Sequence, residues 1–294
     1  MDTRMLKKIK LGVDVLFIAA LFVAVVTLYA VDMHPFQRGF FCSDESLKYP
    51  YRDDTVTMVV AGAVGLIAML ITIFVLEGIR TWIVEHAGTS STREKAISYV
   101  KSVVWNVAVM LFGTAFHFLL VELLKLSIGR LRPHFFDLCK PDFNTINCTS
   151  GYVTHYTCTA TVDTKKLNDA HKSFPSGHAS FIAYSMTYVI VYLQLRLPRH
   201  SFRLMRASLQ FCSAMVALYV CVSRISDYKH HWSDVISGGV IGTLVAVLTI
   251  AYISDLVPRR QVDGSTSDSG TVCAKTNSGV TESYKKNDIE MQRE

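Results

Sequence analysis

Apolar residues run in long unbroken blocks separated by short polar stretches, without the three-and-four spacing of an amphipathic helix. Six blocks approach the roughly 20 residues that cross a bilayer core, at about 11–31, 55–77, 104–124, 179–197, 207–223 and 235–256. The fourth and fifth are short. The pattern predicts an all-α integral membrane protein with six transmembrane helices spread over residues 11–257. A short N-terminal segment, 1–10, precedes them, and a Ser, Thr, Gly and Lys-rich tail, 258–294, follows with the composition of a disordered chain. The first block lacks a clear small-residue cleavage site and is expected to stay as a signal anchor.

Charge assigns the sides. Lys7, Lys8 and Lys10 precede the first block, Arg80, Arg93, Lys95 and Lys101 separate the second from the third, and Arg196, Arg199, Arg203 and Arg206 separate the fourth from the fifth. Arg259 and Arg260 follow the sixth. The positive-inside rule makes these segments and both termini cytoplasmic and puts loops 32–54, 125–178 and 224–234 outside or in a lumen. The sequon Asn147-Cys148-Thr149 falls in one of those loops, as a glycosylation acceptor must. Cys42, Cys139, Cys148 and Cys158 also map there and allow two disulfides in three connectivities, while Cys212 and Cys221 fall in the fifth block and Cys273 in the tail. The net charge of +6 is dispersed among loops without a nucleic-acid motif, so no nucleic-acid partner is expected.

Several polar residues have local explanations. Asp14 follows Lys10 by four and is expected to pair with it; Glu122 precedes Lys125 by three and is expected to do the same. His117 is expected to be a satisfied bundle residue. His34 to Cys42, with Arg38, suits an interfacial anchor, and Gly62, Gly65, Gly238, Gly239 and Gly242 suit close helix packing.

Three polar segments at outer helix ends remain. Lys125 and Arg132 are seven apart, two turns if the third helix continues, and Pro133 then begins the loop. Pro175-Ser176-Gly177-His178 is a turn feeding a helix, with a hydroxyl and backbone N–H groups for an anion. Arg224 supplies a planar fork of donors, and His230 and Asp234, four apart, share a face if a helix begins around Trp232. Such a carboxylate would hold one imidazole nitrogen and free the other for attack. Together these are the parts of a phosphoryl-transfer site: positive charge for the equatorial oxygens, a nucleophile and an acid. The two histidines can divide the last two roles. No metal-site spacing is present, and the basic side chains can supply the charge a metal supplies elsewhere.

In order and spacing, Lys125-x6-Arg132-Pro133, Pro175-Ser176-Gly177-His178 and Ser223-Arg224-x5-His230-x3-Asp234 resemble the signature of the type-two phosphatidic acid phosphatase superfamily. Phe36 to Glu45 and Tyr228 to Asp234 are similar to the animal lipid phosphate phosphatases in particular. The resemblance covers roughly residues 5 to 257. It implies a six-helix phosphatidate phosphatase, with no cofactor or metal, acting on phosphatidate, lysophosphatidate, sphingosine 1-phosphate and ceramide 1-phosphate. It further implies that His230 is the nucleophile, Asp234 orients it and His178 serves the leaving group and then water. Lys125, Arg132, Ser176, Gly177 and Arg224 would bind the phosphate. The site would face outward at the plasma membrane, or a lumen in internal membranes, and the resemblance leaves room for a homo-oligomer. A polyprenyl diphosphate or sugar-phosphate phosphatase and a non-enzymatic lipid-phosphate binder are the alternatives.

Overall fold

The computed structural model describes residues 3–31, 33–84, 91–161, 163–197 and 202–256. The expected tail, with Arg259, Arg260 and Cys273, lies outside the described residues, as do Arg199 and the Lys10 side chain expected to pair with Asp14. Among the described residues six long helices form the body: α1 (Thr3–Ala30), α2 (Met58–Ile79), α3 (Thr92–Ile128), α6 (Gly177–Arg196), α7 (Arg203–Ser226) and α8 (Trp232–Leu248). Short helices α4 (Phe135–Cys139) and α5 (Thr164–Asp169) lie between α3 and α6. Among the described residues, four stretches are long and apolar enough to cross a membrane: Met58–Trp82, Thr92–Ile128, Arg203–Ser226 and Trp232–Ile253. The apolar part of α1, Gly12–Leu28, is shorter. Helix α6 is more polar because it is the centre of the bundle, packed by α2, α7 and α8, so its Ser180, Ser185, Tyr184, Tyr188 and Tyr192 face protein rather than lipid.

Helix boundaries follow local chemistry. Ser91 and Glu94 form a reciprocal capping box, which starts α3 well before the apolar block at 104. The helix ends at Gly129, whose φ of 58° is left-handed and where a Cβ would run into the Phe36 carbonyl. Arg132 therefore follows α3 rather than extending its face, contrary to the two-turn expectation.

Glycines set how closely α6 and α8 approach. A Cβ on Gly242 would collide with the Ser180 carbonyl and come within 2.8 Å of Tyr184 N, and one on Gly238 would lie 2.6 Å from the Ser176 carbonyl. Gly65 similarly admits Ser185 and Phe181, whereas Gly62 and Gly239 have nothing within 4 Å, so packing does not explain those two. Gly242→Val is expected to destabilise by about 3 kcal/mol through overpacking, read as a lower thermal midpoint in detergent. Gly239→Val should stay near the native midpoint.

The loops joining α1 to α2 and α3 to α6 form one cap over the end of the bundle where α3 finishes and α6 begins. Disulfides join Cys42 to Cys148 and Cys139 to Cys158. A two-residue strand β1 (Phe40–Phe41) pairs antiparallel with β2 (Tyr152–Val153), and Phe40, Phe135, Phe136 and Tyr156 pack beneath. Backbone bonds from Arg132 N to Ala170 O (2.9 Å) and Ser173 N to Arg130 O (2.9 Å) lay the end of this loop beside the segment that leaves α3. Two of the three polar segments meet there. At the other end of the bundle, buried Glu77 accepts from Tyr192 Oη (2.5 Å) and Ser102 Oγ (2.6 Å) and pairs with Arg196 (2.9 Å), tying α2, α3 and α6.

Candidate active site

A cavity of about 220 Å³ opens where these helix ends meet. Lys125 reaches it from the last turn of α3, Arg132 from the loop beyond, Gly177 and His178 from the first turn of α6, Arg224 from the last turn of α7, and Lys229 and His230 from the α7–α8 turn. Asp54 and Asp169 also line it, so four basic side chains face two carboxylates and the excess charge suits an anion. A Cβ on Gly177 would lie 3.1 Å from Lys125 Nζ, so the glycine lets an ammonium group press against a helix N-terminus. The first-turn amides there have no intrahelical partner, and two positive ends this close favour an anion between them.

Three of the four cations pair with carboxylates. Lys125 pairs with Glu122 at 3.3 Å, as expected from their spacing, and Arg132 pairs with Asp169 at 2.7 Å. Arg224, fully buried, binds Asp54 (2.7 Å) and Asp227 (2.8 Å), while Asp227 also accepts from Thr55 N and Oγ1. The Lys229 ammonium lies 3.9 Å from the Tyr51 ring centroid.

His230 is buried, and its Nδ1 lies 2.7 Å from the Ser173 carbonyl. A carbonyl only accepts, so Nδ1 carries the proton and Nε2 keeps its lone pair. Burial, then the charges of Arg132 and Lys125, hold the imidazole well below its ordinary range against the opposing Ser173 bond. Asp234 makes no hydrogen bond or ion pair with it. Helix α8 begins at Trp232 with His231 as its N-cap, leaving His230 outside the helix and the four-residue spacing without a shared face. The buried carboxylate instead binds Arg130 (2.5 Å), Ser173 Oγ (2.6 Å), His231 N (3.1 Å) and His231 Nδ1 (3.2 Å).

A family model described as the PAP2 superfamily matches residues 106–258, which include all three polar segments. The chain belongs to the PAP2 superfamily. It is 40% identical over 222 residues to phospholipid phosphatase 1 of Rattus norvegicus, covering 75% of this chain and 77% of that one. Phospholipid phosphatase 2 of Homo sapiens is 38% identical over 250 residues, 85% of this chain and 84% of its own. The crystal structure of the first transmembrane PAP2 type phosphatidylglycerolphosphate phosphatase from Bacillus subtilis covers 79% of this chain and 93% of its own at 21% identity. Its TM-score of 0.33 is too low to bear on how the helices are arranged. The expected kinship with the animal lipid phosphate phosphatases is met, and the chain is a phosphatase of this superfamily.

Of the residues that sequence placed in this PAP2 site, Lys125, Arg132, Gly177, His178, Arg224 and His230 line the one cavity. Ser176 does not line it. Its hydroxyl accepts from Ala179 N at 3.4 Å as the N-cap of α6, and its N–H donates to the Asp234 carbonyl, joining the starts of α6 and α8. Asp234 lies one layer behind, holding Ser173, whose carbonyl holds His230. Sequence reasoning missed Ser173, Arg130, Asp54, Asp169 and Lys229. Arg130 and Lys229 lie inside the polar segments already singled out and Ser173 lies two residues before one, but Asp54 carries no spacing signal. Asn147 is at the start of a turn in the cap, its side chain accepting from Thr149 N at 3.1 Å.

Proposed function

We propose that this PAP2 phosphatase is a membrane lipid phosphate phosphohydrolase that acts through a phosphohistidine on His230, without a metal. The observation that carries the reading is the Ser173 carbonyl at 2.7 Å from His230 Nδ1, which leaves Nε2 as a lone pair in a cavity of four basic side chains. Nε2 attacks phosphorus as the bond to the lipid oxygen breaks, and protonated His178 gives its proton to the departing alkoxide. His178 then takes a proton from water, the resulting hydroxide attacks phosphorus, and the nitrogen–phosphorus bond breaks to restore His230 and release phosphate. Lys125, Arg132 and Arg224, with the amides of Gly177 and His178, hold the equatorial oxygens, and the negative charge of the bound phosphate favours the protonated His178 that the first step needs. Asp234 positions His230 through Ser173 rather than by contact.

The substrates proposed are phosphatidate, lysophosphatidate, sphingosine 1-phosphate and ceramide 1-phosphate. Their chains would stay in the bilayer while the phosphate enters at the headgroup level. We infer six membrane spans, α1, α2, α3, α6, α7 and α8, with the cavity on the outer face of the plasma membrane. The two disulfides on the cavity side suit an oxidising compartment, and Asn147 in the same cap is the proposed glycosylation site.

The test is phosphate release from lysophosphatidate in detergent micelles with excess EDTA. Full turnover in chelator is the expected result. Turnover that disappears in EDTA and returns with Mg²⁺ would overturn the metal-free mechanism.

A further inference from the structure

The catalytic cavity has a second polar feature that the phosphate chemistry does not use. Beyond Lys125 the lining changes to Met58, His117, Phe118 and Val121, from α2 and α3. His117 precedes Lys125 by eight residues, about 12 Å along the helix, and the Lys125 ammonium leans back toward Glu122, shortening that interval. The cavity therefore has an ionic end and an apolar end, with one imidazole in the apolar end.

His117 is fully buried, and neither Nδ1 nor Nε2 has a hydrogen-bond partner. The satisfied bundle histidine expected from sequence is not what the fold contains. Packing fixes the ring: it stacks on Tyr184 (centroids 5.5 Å apart, planes at 23°) and meets the edge of Phe118 at 5.3 Å. Tyr184 makes no hydrogen bond to it, and its hydroxyl proton goes to the Met110 carbonyl at 3.0 Å. A neutral imidazole presents one donor and one acceptor, and leaving both empty inside a protein is costly. A purely structural role would be filled better by an apolar ring, and the unused pair is open to a partner from the cavity.

We propose that His117 is a specificity-determining residue for the lipid backbone. Resting on the lipid phosphatase reading above, the proposal is that its imidazole exchanges hydrogen bonds with a hydroxyl carried a few bonds from the phosphate ester. With phosphate at the Lys125 end and the chain leaving past Met58, Phe118 and Val121, that stretch of substrate crosses His117. A hydroxyl both donates and accepts, matching a neutral imidazole, whereas a methylene leaves both nitrogens empty. The favoured class is single-chain lipid phosphates with a free backbone hydroxyl.

The test compares kcat/KM for 1-oleoyl-glycerol 3-phosphate with that for its 2-deoxy counterpart, 1-oleoyl-propanediol 3-phosphate, in native protein, His117→Leu and His117→Asn. The native preference for the hydroxyl is expected to be about tenfold or more, to fall close to one in His117→Leu, and to persist in part in His117→Asn, which keeps a donor and an acceptor. The ratio does not depend on how much protein is folded, so general destabilisation leaves it unmoved. A native ratio near one overturns the proposal even if His117→Leu proves inactive, and so does an unchanged ratio in His117→Leu. Failure of native protein to hydrolyse either lipid would instead remove the lipid phosphatase reading, and this proposal with it.

Discussion

His230→Ala is expected to lower turnover of lysophosphatidate by about ten-thousandfold or more, as loss of a nucleophile does elsewhere, with phosphate binding retained. The expectation rests on a tautomer. Ser173 fixes the proton on Nδ1, and burial with Arg132 and Lys125 nearby keeps the ring neutral, so the lone pair is present without a base to generate it. Acidification from pH 7 to 6 should therefore not remove the nucleophile. Substrate labelled in its phosphate should leave acid-labile, alkali-stable label on native protein quenched in base, and none on the variant. Label that persists without His230 would assign the nucleophile elsewhere.

Asp234→Asn should be milder, about a hundredfold on kcat with KM little changed, since general positioning effects are of that order. Ser173→Ala should be milder still. It removes the hydroxyl that Asp234 holds, but the carbonyl that holds His230 belongs to the backbone and stays. Equal losses in Asp234→Asn and His230→Ala would mean that the carboxylate contacts the imidazole during the reaction after all.

The second large effect belongs to Arg224. Arg224→Ala is expected to destabilise the protein by about 3–5 kcal/mol, the usual consequence of breaking a buried ion pair from one side. The guanidinium is fully buried and answers two carboxylates, Asp54 and Asp227, on either side of the α2–α7 junction. Removing it leaves both negative beside the proposed phosphate site. Arg224→Lys should preserve more stability but raise KM, because a single ammonium group cannot reach Asp54 and Asp227 as the two guanidinium nitrogens do and still meet phosphate. Thermal unfolding in detergent measures the first effect and substrate titration the second. Asp227→Asn added to Arg224→Ala should recover part of the lost stability; no recovery would mean that Arg224 acts by packing alone.

The helices were legible because about 20 consecutive apolar residues have few alternatives to a bilayer span. Their ends were less so. Apolarity marks where lipid could be, while capping marks where a helix stops, and Ser91 with Glu94 carries α3 a further dozen residues from its apolar block. Helix α6 was the converse case: its serines and tyrosines look unfavourable for lipid, and only the surrounding α2, α7 and α8 make them a core.

At the site, sequence alone established which chemistry was available. Residue type decides whether a side chain can attack phosphorus, carry a proton or bear positive charge, and motif spacing brought Lys125, Arg132, Gly177, His178, Arg224 and His230 forward together. What holds those groups was decided by tertiary structure. Asp234 lost its expected contact because α8 begins two residues after His230, and a carbonyl from another segment took its place. Asp54, Arg130 and Ser173 reach the site through contacts 170, 104 and 57 residues away along the chain. No local pattern encodes such pairs, because a hydrogen bond depends on where two atoms lie in space and spacing along the chain reports only on neighbours within one helix.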